Sequence, residues 1–287
     1  MTLVSIVKSD CIQESVLRSI ELSGGLDIGK DDVVVIKPNV KSQSPPGYGI
    51  VTDPKVVEPL IPLCYDKGAS KVVIAEGCAY PSGSYHTISA FEAAGYSELA
   101  KRWDVNLVDL NSWDSVVVEV EDGFVLDWVR IGRAVVEADF LINVPVLKTH
   151  KQTLLSNCIK NIGVGVACRE EKKRLHQLGI DRALVDVYSK VIPQFNVVDA
   201  IVALEGDGPN LPPGIAKTLG LIVSGKDGLA VDAVCASIIG IEPSMVAHLK
   251  LASEKSLGTL NLDRVEVLGE RVKDVKMDFE LPSTFKK

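Results

Sequence analysis

Between Asp139 and Gly165 the chain reads DFLINVPVLKTHKQTLLSNCIKNIGVG: an apolar strand that runs out into Lys148 and His150, followed by Lys160, Asn161, Gly163 and Gly165. Two ammonium groups and an imidazole around one strand end suit an anion, because charged donors bond carboxylate or phosphate oxygens and imidazole can exchange a proton near neutral pH. Burial accounts for Phe140, Leu141, Ile142, Val144 and Val146, but not for the cations beside them. In an open α/β sheet the C-terminal ends of the strands are where ligands bind. His150 and Lys160 are ten residues apart and His176 follows sixteen later, so two of the four histidines fall in this basic stretch. Backbone N–H groups of 162–165 can complete an anion nest if the glycines form a loop.

Three other strand ends carry related chemistry. Lys37-Pro38-Asn39 follows VVVI and opens the Gly/Pro/Ser-rich loop to Pro54, so Lys37, Asn39 and Lys41 can present donors to a carboxylate or phosphate. The plainer reading is a connector ending in a helix cap at Thr52 and Asp53. Glu76-Gly77 ends KVVIAE, and the loop Cys78–Tyr85, with Gly83, can approach a ligand closely or be an ordinary turn. Glu205-Gly-Asp-Gly-Pro209 sets two carboxylates one glycine apart, a pattern that offers oxygens to Mg²⁺ or a pair of acid/base groups. Asp199 and Asp232 lie inside apolar runs, where a carboxylate must be hydrogen-bonded or paired, and Asp227 reads as an N-cap.

The elements that position these groups alternate along the chain. Strands are expected at 4–7, 33–37, 71–76, 105–110, 139–146, 196–204, 219–224 and 264–268. Helices are expected at 11–22, 53–67, 87–94, 130–138, 169–177, 181–191, 229–239 and 243–255. A hairpin is expected over 115–129, turning at Asp122-Gly123. This pattern predicts an α/β fold with a mainly parallel sheet, helices on both faces, and two lobes, 1–125 and 126–287, flanking a cleft.

With 46% hydrophobic residues the chain has the composition of a folded globular protein, while 5% aromatics and a net charge of −7 argue against a nucleic-acid surface. No apolar run reaches the length of a membrane span or of a signal peptide, so a cytoplasmic protein with no membrane partner is expected. The six cysteines contain no CxxC pair, so no built-in iron–sulfur cluster is expected. Cys158 and Cys168 flank the Lys160 segment, though free cysteine is usually core.

Taken together, KPN, TDP, PVLKTH, IKNIGVG, ALEGDGP and SGKDGLAVDAV, in this order, resemble the uncharacterised "domain of unknown function 362" proteins over nearly the whole chain. Relatives with added ferredoxin-type domains imply redox work and a redox partner protein; this chain lacks those cysteines. The chain is more distantly similar to lactate-racemase-like enzymes that carry a nickel pincer nucleotide. That resemblance implies a cofactor held by Lys160, a metal bound by His176 and proton transfer by His150. Lys37-Pro38 departs from the arginine–proline of those enzymes, and Cys78-Ala79 stands where they have a histidine.

The expected function is therefore an enzyme acting on a small anionic metabolite by acid/base or metal-assisted chemistry, racemase-like or redox-linked. His150, Lys160 and Glu205 would be catalytic. Lys37, Asn39, Lys41, Glu76, Lys148, Asn161 and Gly163 would bind ligand, and His176 and Asp207 would bind a divalent metal, nickel or magnesium. The alternative is a non-catalytic binding protein for a nucleotide or carboxylate, and a homo-oligomer stays open under either reading.

Overall fold

The computed structural model describes residues 1–78, 86–112, 114–209 and 214–286. Its strands are β1 (Thr2–Lys8), β2 (Val33–Pro38), β3 (Lys71–Glu76), β4 (Asn106–Asp109), β5 (Ser115–Glu119), β6 (Trp128–Gly132), β7 (Phe140–Val144), β8 (Val146–His150), β9 (Leu154–Ser156), β10 (Phe195–Glu205), β11 (Ile215–Gly225) and β12 (Val265–Gly269). The main sheet runs β12-β1-β11-β10-β7-β2-β3-β4, with β8 beside β10 and β9 beside β8. The path from β10 through β7, β2 and β3 to β4 is parallel throughout, whereas β11 is antiparallel to both β10 and β1.

Strand side chains alternate between two apolar clusters, one on each face of the sheet. Val34, Ile36, Val72 and Ile74 belong to one; Val35, Val73 and Leu141 belong to the other. Burial on both faces is why these strands read as continuous apolar runs. β2 pairs with β7, and β1 pairs with β11 and β12, so strands from 1–125 and 126–287 interleave in one sheet.

The strand expected over 139–146 is instead two strands broken at Pro145, which has no N–H to continue the ladder. β7 pairs with β10 at Phe195 and Asn196, and β8 pairs with it at Asp199 and Leu204. Lys148 and His150 therefore lie on a strand. The IKNIGVG segment is not a loop nest but part of the helix Cys158–Gly165, so the amides of 162–165 belong to a helix. The helix expected over 53–67 divides into Pro54–Val57 and Leu60–Asp66, with Pro59 between them. The segment 130–138 is shared between the end of β6 and the short helix Arg133–Val136. Among the described residues, no helix is long and apolar enough to cross a membrane.

Candidate functional site

The floor of the site is a buried polar layer at the ends of β2, β3 and β7. Lys37 Nζ donates to Glu76 Oε1 at 3.0 Å and Oε2 at 3.1 Å, and to Asn161 Oδ1 at 3.1 Å. Glu76 also accepts from the N–H groups of Val40 at 2.8 Å and Gly77 at 2.7 Å. Asn161 Nδ2 donates to Asn143 Oδ1 at 2.8 Å, and Asn143 Nδ2 to Asn196 Oδ1 at 2.9 Å. Buried charge is tolerated only when paired and hydrogen-bonded, and this layer meets both conditions. Lys37 is 0% exposed and lies beneath the cavity rather than in its lining.

Above that floor is a cavity of about 260 Å³, lined by residues that include Asn39, Lys41, Glu76, Lys148, His150, Lys160, Asn161, Lys172 and His176. Lys148, on β8, donates to Asn39 Oδ1 and to Ile50 O. Burial, reinforced by the Lys41 charge, pushes its pKa down to about 7. Lys41 donates to Pro209 O at 2.7 Å, and burial lowers its pKa as well. Lys160 Nζ is buried without a hydrogen-bond partner among the described residues. Burial first, then the Lys148 and Lys41 charges, hold its pKa well below the ordinary lysine value.

The two imidazoles differ. His150 Nδ1 accepts from the Gln152 N–H at 3.1 Å, so the neutral ring carries its proton on Nε2 and offers a donor there. Burial and the Lys160 charge push its pKa far below the usual histidine range. His176, an exposed residue near the end of the helix Arg169–Gln177, lines the same cavity. Partial burial and Lys160 lower its pKa.

Lys160 is positioned from behind. Asp232, buried in the helix Gly228–Ile238, accepts from the Cys158 N–H at 2.7 Å and the Ile159 N–H at 3.0 Å, capping the helix that carries the lysine. Gly163 lets that helix pack closely, since a Cβ there would sit 2.8 Å from Leu184 Cβ. Its part is packing, and it does not line the cavity. Asp199 accepts from the Asp53 N–H at 2.9 Å, while Asp53 caps the next helix through the Lys55 N–H.

Glu205 and Asp207 are not brought to the cavity. Glu205 pairs with Lys217 at 3.0 Å and accepts from the Glu280 N–H at 3.0 Å. Asp207 accepts from the Ser283 N–H and hydroxyl and lies 3.6 Å from Lys151 Nζ. Both tie down the C-terminal segment, so among the described residues neither carboxylate is placed for the expected acid/base or Mg²⁺ role. Among the described residues, no group of three or more His, Cys, Asp or Glu side chains could hold a metal. The 79–85 part of the glycine loop, Gly83 included, lies outside the described residues.

Lys172 was not singled out from sequence, yet it lines the cavity, donating to Gly77 O, Cys78 O and Asn111 Oδ1, and burial lowers its pKa to about 8. REEKKRLHQ reads as a solvated helix, but Lys172 and His176 are four apart and so share one face. That spacing was the available signal.

The chain is 27% identical over 233 residues to a thylakoid-associated protein of Synechocystis sp. (strain PCC 6803), covering 79% of this chain and 68% of that protein. Its fold is similar to that of the lactate racemase apoprotein from Thermoanaerobacterium thermosaccharolyticum, with a TM-score of 0.51 and 17% identity over 84% of this chain and 58% of that one. A crystal structure of a Thermotoga maritima protein matches with a TM-score of 0.44 and 14% identity, over 85% of this chain and 58% of that one. The chain thus spans less than two thirds of either solved structure. The family described as Domain of unknown function (DUF362) matches residues 34–237, a span that takes in the Lys37–Glu76 floor, the Lys160 helix and its Asp232 cap, and this chain belongs to that family.

Proposed function

We propose that the cavity is the active site of an enzyme that moves a proton at carbon in a small organic anion, in the manner of a racemase or epimerase. The observation that carries this reading is that His150, Lys160 and His176, from β8 and two separate helices, line one cavity together with Lys41 and Lys148. Lys41 and Lys148 hold the anionic group. His150 donates through Nε2–H to a substrate oxygen, which moves the proton-accepting role to His176. A lowered pKa leaves His176 neutral and able to accept a proton.

The resemblance to lactate-racemase-like enzymes brings a nickel-bearing group into consideration, and the orphaned Nζ of Lys160 beside His176 fits such a group. Lys160 would hold it and His176 would contribute one ligand, a role that replaces its proton-accepting one because a neutral imidazole has a single lone pair. When bound, it would supply a Lewis-acidic metal at the substrate oxygen.

The test is deuterium incorporation from D₂O at C2 of a panel of chiral 2-hydroxy acids, followed by NMR together with loss of chirality. Exchange that disappears in His176→Ala supports the enzyme. A second reading, non-catalytic binding of a carboxylate or nucleotide, is favoured by the donor character of His150. It gains if panel members raise the melting temperature without exchange; saturation at ~100 times Kd stabilises by about 2.7 kcal/mol.

A further inference from the structure

The cavity's lysines differ in how many of their three N–H donors are already used. Lys172 Nζ has three acceptors, Gly77 O, Cys78 O and Asn111 Oδ1. Lys148 has two, Asn39 Oδ1 and Ile50 O, and Lys41 has one, Pro209 O. Lys160 has none among the described residues. A buried ammonium with no acceptor is expensive, and no carboxylate among the described residues bonds it: Glu76 is held by Lys37, and Asp181 bonds the ring of His248. The amine form lacks that cost and has a lone pair to use. Desolvated lysines next to other cations are the ones that act as nucleophiles.

We propose that Lys160 forms an imine with a small 2-oxo carboxylate, whose carboxylate is held by Lys41 and Lys148 while its carbonyl carbon meets Lys160 Nζ. This rests on the reading of the cavity as a site for a small organic anion. The unspent donors fit that ligand, since Lys148 retains one N–H and Lys41 two after their acceptors among the described residues are counted. A volume of about 260 Å³ suits a small metabolite. The Nε2–H of His150 provides a donor for the carbonyl oxygen. Burial and the neighbouring ammonium groups lower the Lys160 pKa, the direction that favours the amine form the reaction needs.

The step balances without any oxidant or reductant. The Nζ lone pair adds to the carbonyl carbon, a C–N bond forms, and the π pair moves to oxygen, which takes up a proton. The carbinolamine then loses that oxygen as water, the two amine hydrogens leave with it in net terms, and C=N remains. Protonation of the imine acidifies the adjacent C–H, giving His176 a proton to accept.

The experiment treats the purified full-length chain with pyruvate and sodium borohydride, then reads intact mass and maps the modified peptide. The expected result is one reduced adduct per chain, on Lys160, absent without borohydride and absent in Lys160→Met. Absence of an adduct overturns the proposal, as does labelling spread over exposed lysines that persists in Lys160→Met, or a Lys160 already carrying another group in the isolated protein. Mapping on the unmodified sequence decides the matter even if Lys160→Met does not fold. Pyruvate binding measured in parallel by calorimetry separates the two levels. Binding that is weakened by Lys148→Met, with no adduct, removes the imine and leaves the anion site, whereas neither binding nor adduct removes both.

Discussion

Lys37 and Glu76 end neighbouring parallel strands and meet at 3.0 Å beneath the cavity, with side chains 0% and 2% exposed. Glu76 is thereby held by one ammonium and two backbone N–H groups, so the acid in the cavity wall is already satisfied before any ligand arrives.

Removing one partner of such a pair leaves a buried charge alone. Lys37→Met is expected to lower stability by about 3–5 kcal/mol in urea unfolding. The double variant Lys37→Met with Glu76→Gln should recover part of that loss, and an unchanged loss would show that the pair is not the cause.

Gly165 faces the same pair. A Cβ there would sit 2.7 Å from Lys37 Cε and 3.2 Å from Glu76 Oε1. Gly165→Ala should therefore cost about 1–3 kcal/mol as overpacking, despite the usual helical preference for alanine. Thermal melting checks the sign, since stabilisation would contradict the close approach.

Asp232→Ala should destabilise by about 1–3 kcal/mol for each of the two N–H groups it uncovers at the start of the Lys160 helix. The same variant should weaken anion binding, although Asp232 does not line the cavity. Unfolding curves and calorimetric titration with a carboxylate are the two measurements.

Lys148 gives a pH dependence whose sign follows from its pKa of about 7 against an ordinary 10.5. Between those values the unfolded chain holds the proton more than the folded one does. Its contribution to stability therefore improves as pH rises from 7 towards 10.5 and is least favourable below 7. Anion affinity should run the other way, falling above pH 7 because the ligand needs the ammonium form. Proton uptake on binding above pH 7, seen by calorimetry in buffers of different ionisation enthalpy, should vanish in Lys148→Met.

For His150, ¹⁵N spectra should show a neutral ring protonated on Nε2 across about pH 5 to 8, where an unperturbed histidine titrates. Titration of this ring in that range would sink the donor role.

Much of the site could be read from local pattern. Apolar runs ending in Lys37 and Glu76, and caps at Asp53 and Asp227, follow from strand and helix rules that need only near neighbours in sequence, and the structure has these elements, whereas the run before Lys148 is divided at Pro145. The basic cluster His150, Lys160 and His176 was also visible as composition. Sequence did not show which charged side chains would already have partners. Lys37 is spent on Glu76 only because β2 lies beside β3, Glu205 on Lys217 only because β10 pairs with β11, and Asp232 caps the Lys160 helix from 73 residues away. Residue types and strand ends were determined by the chain's own periodicity. Whether a charge faces a ligand or a neighbour was decided by strand order and helix packing, because desolvation and pairing depend on what the fold sets beside each group.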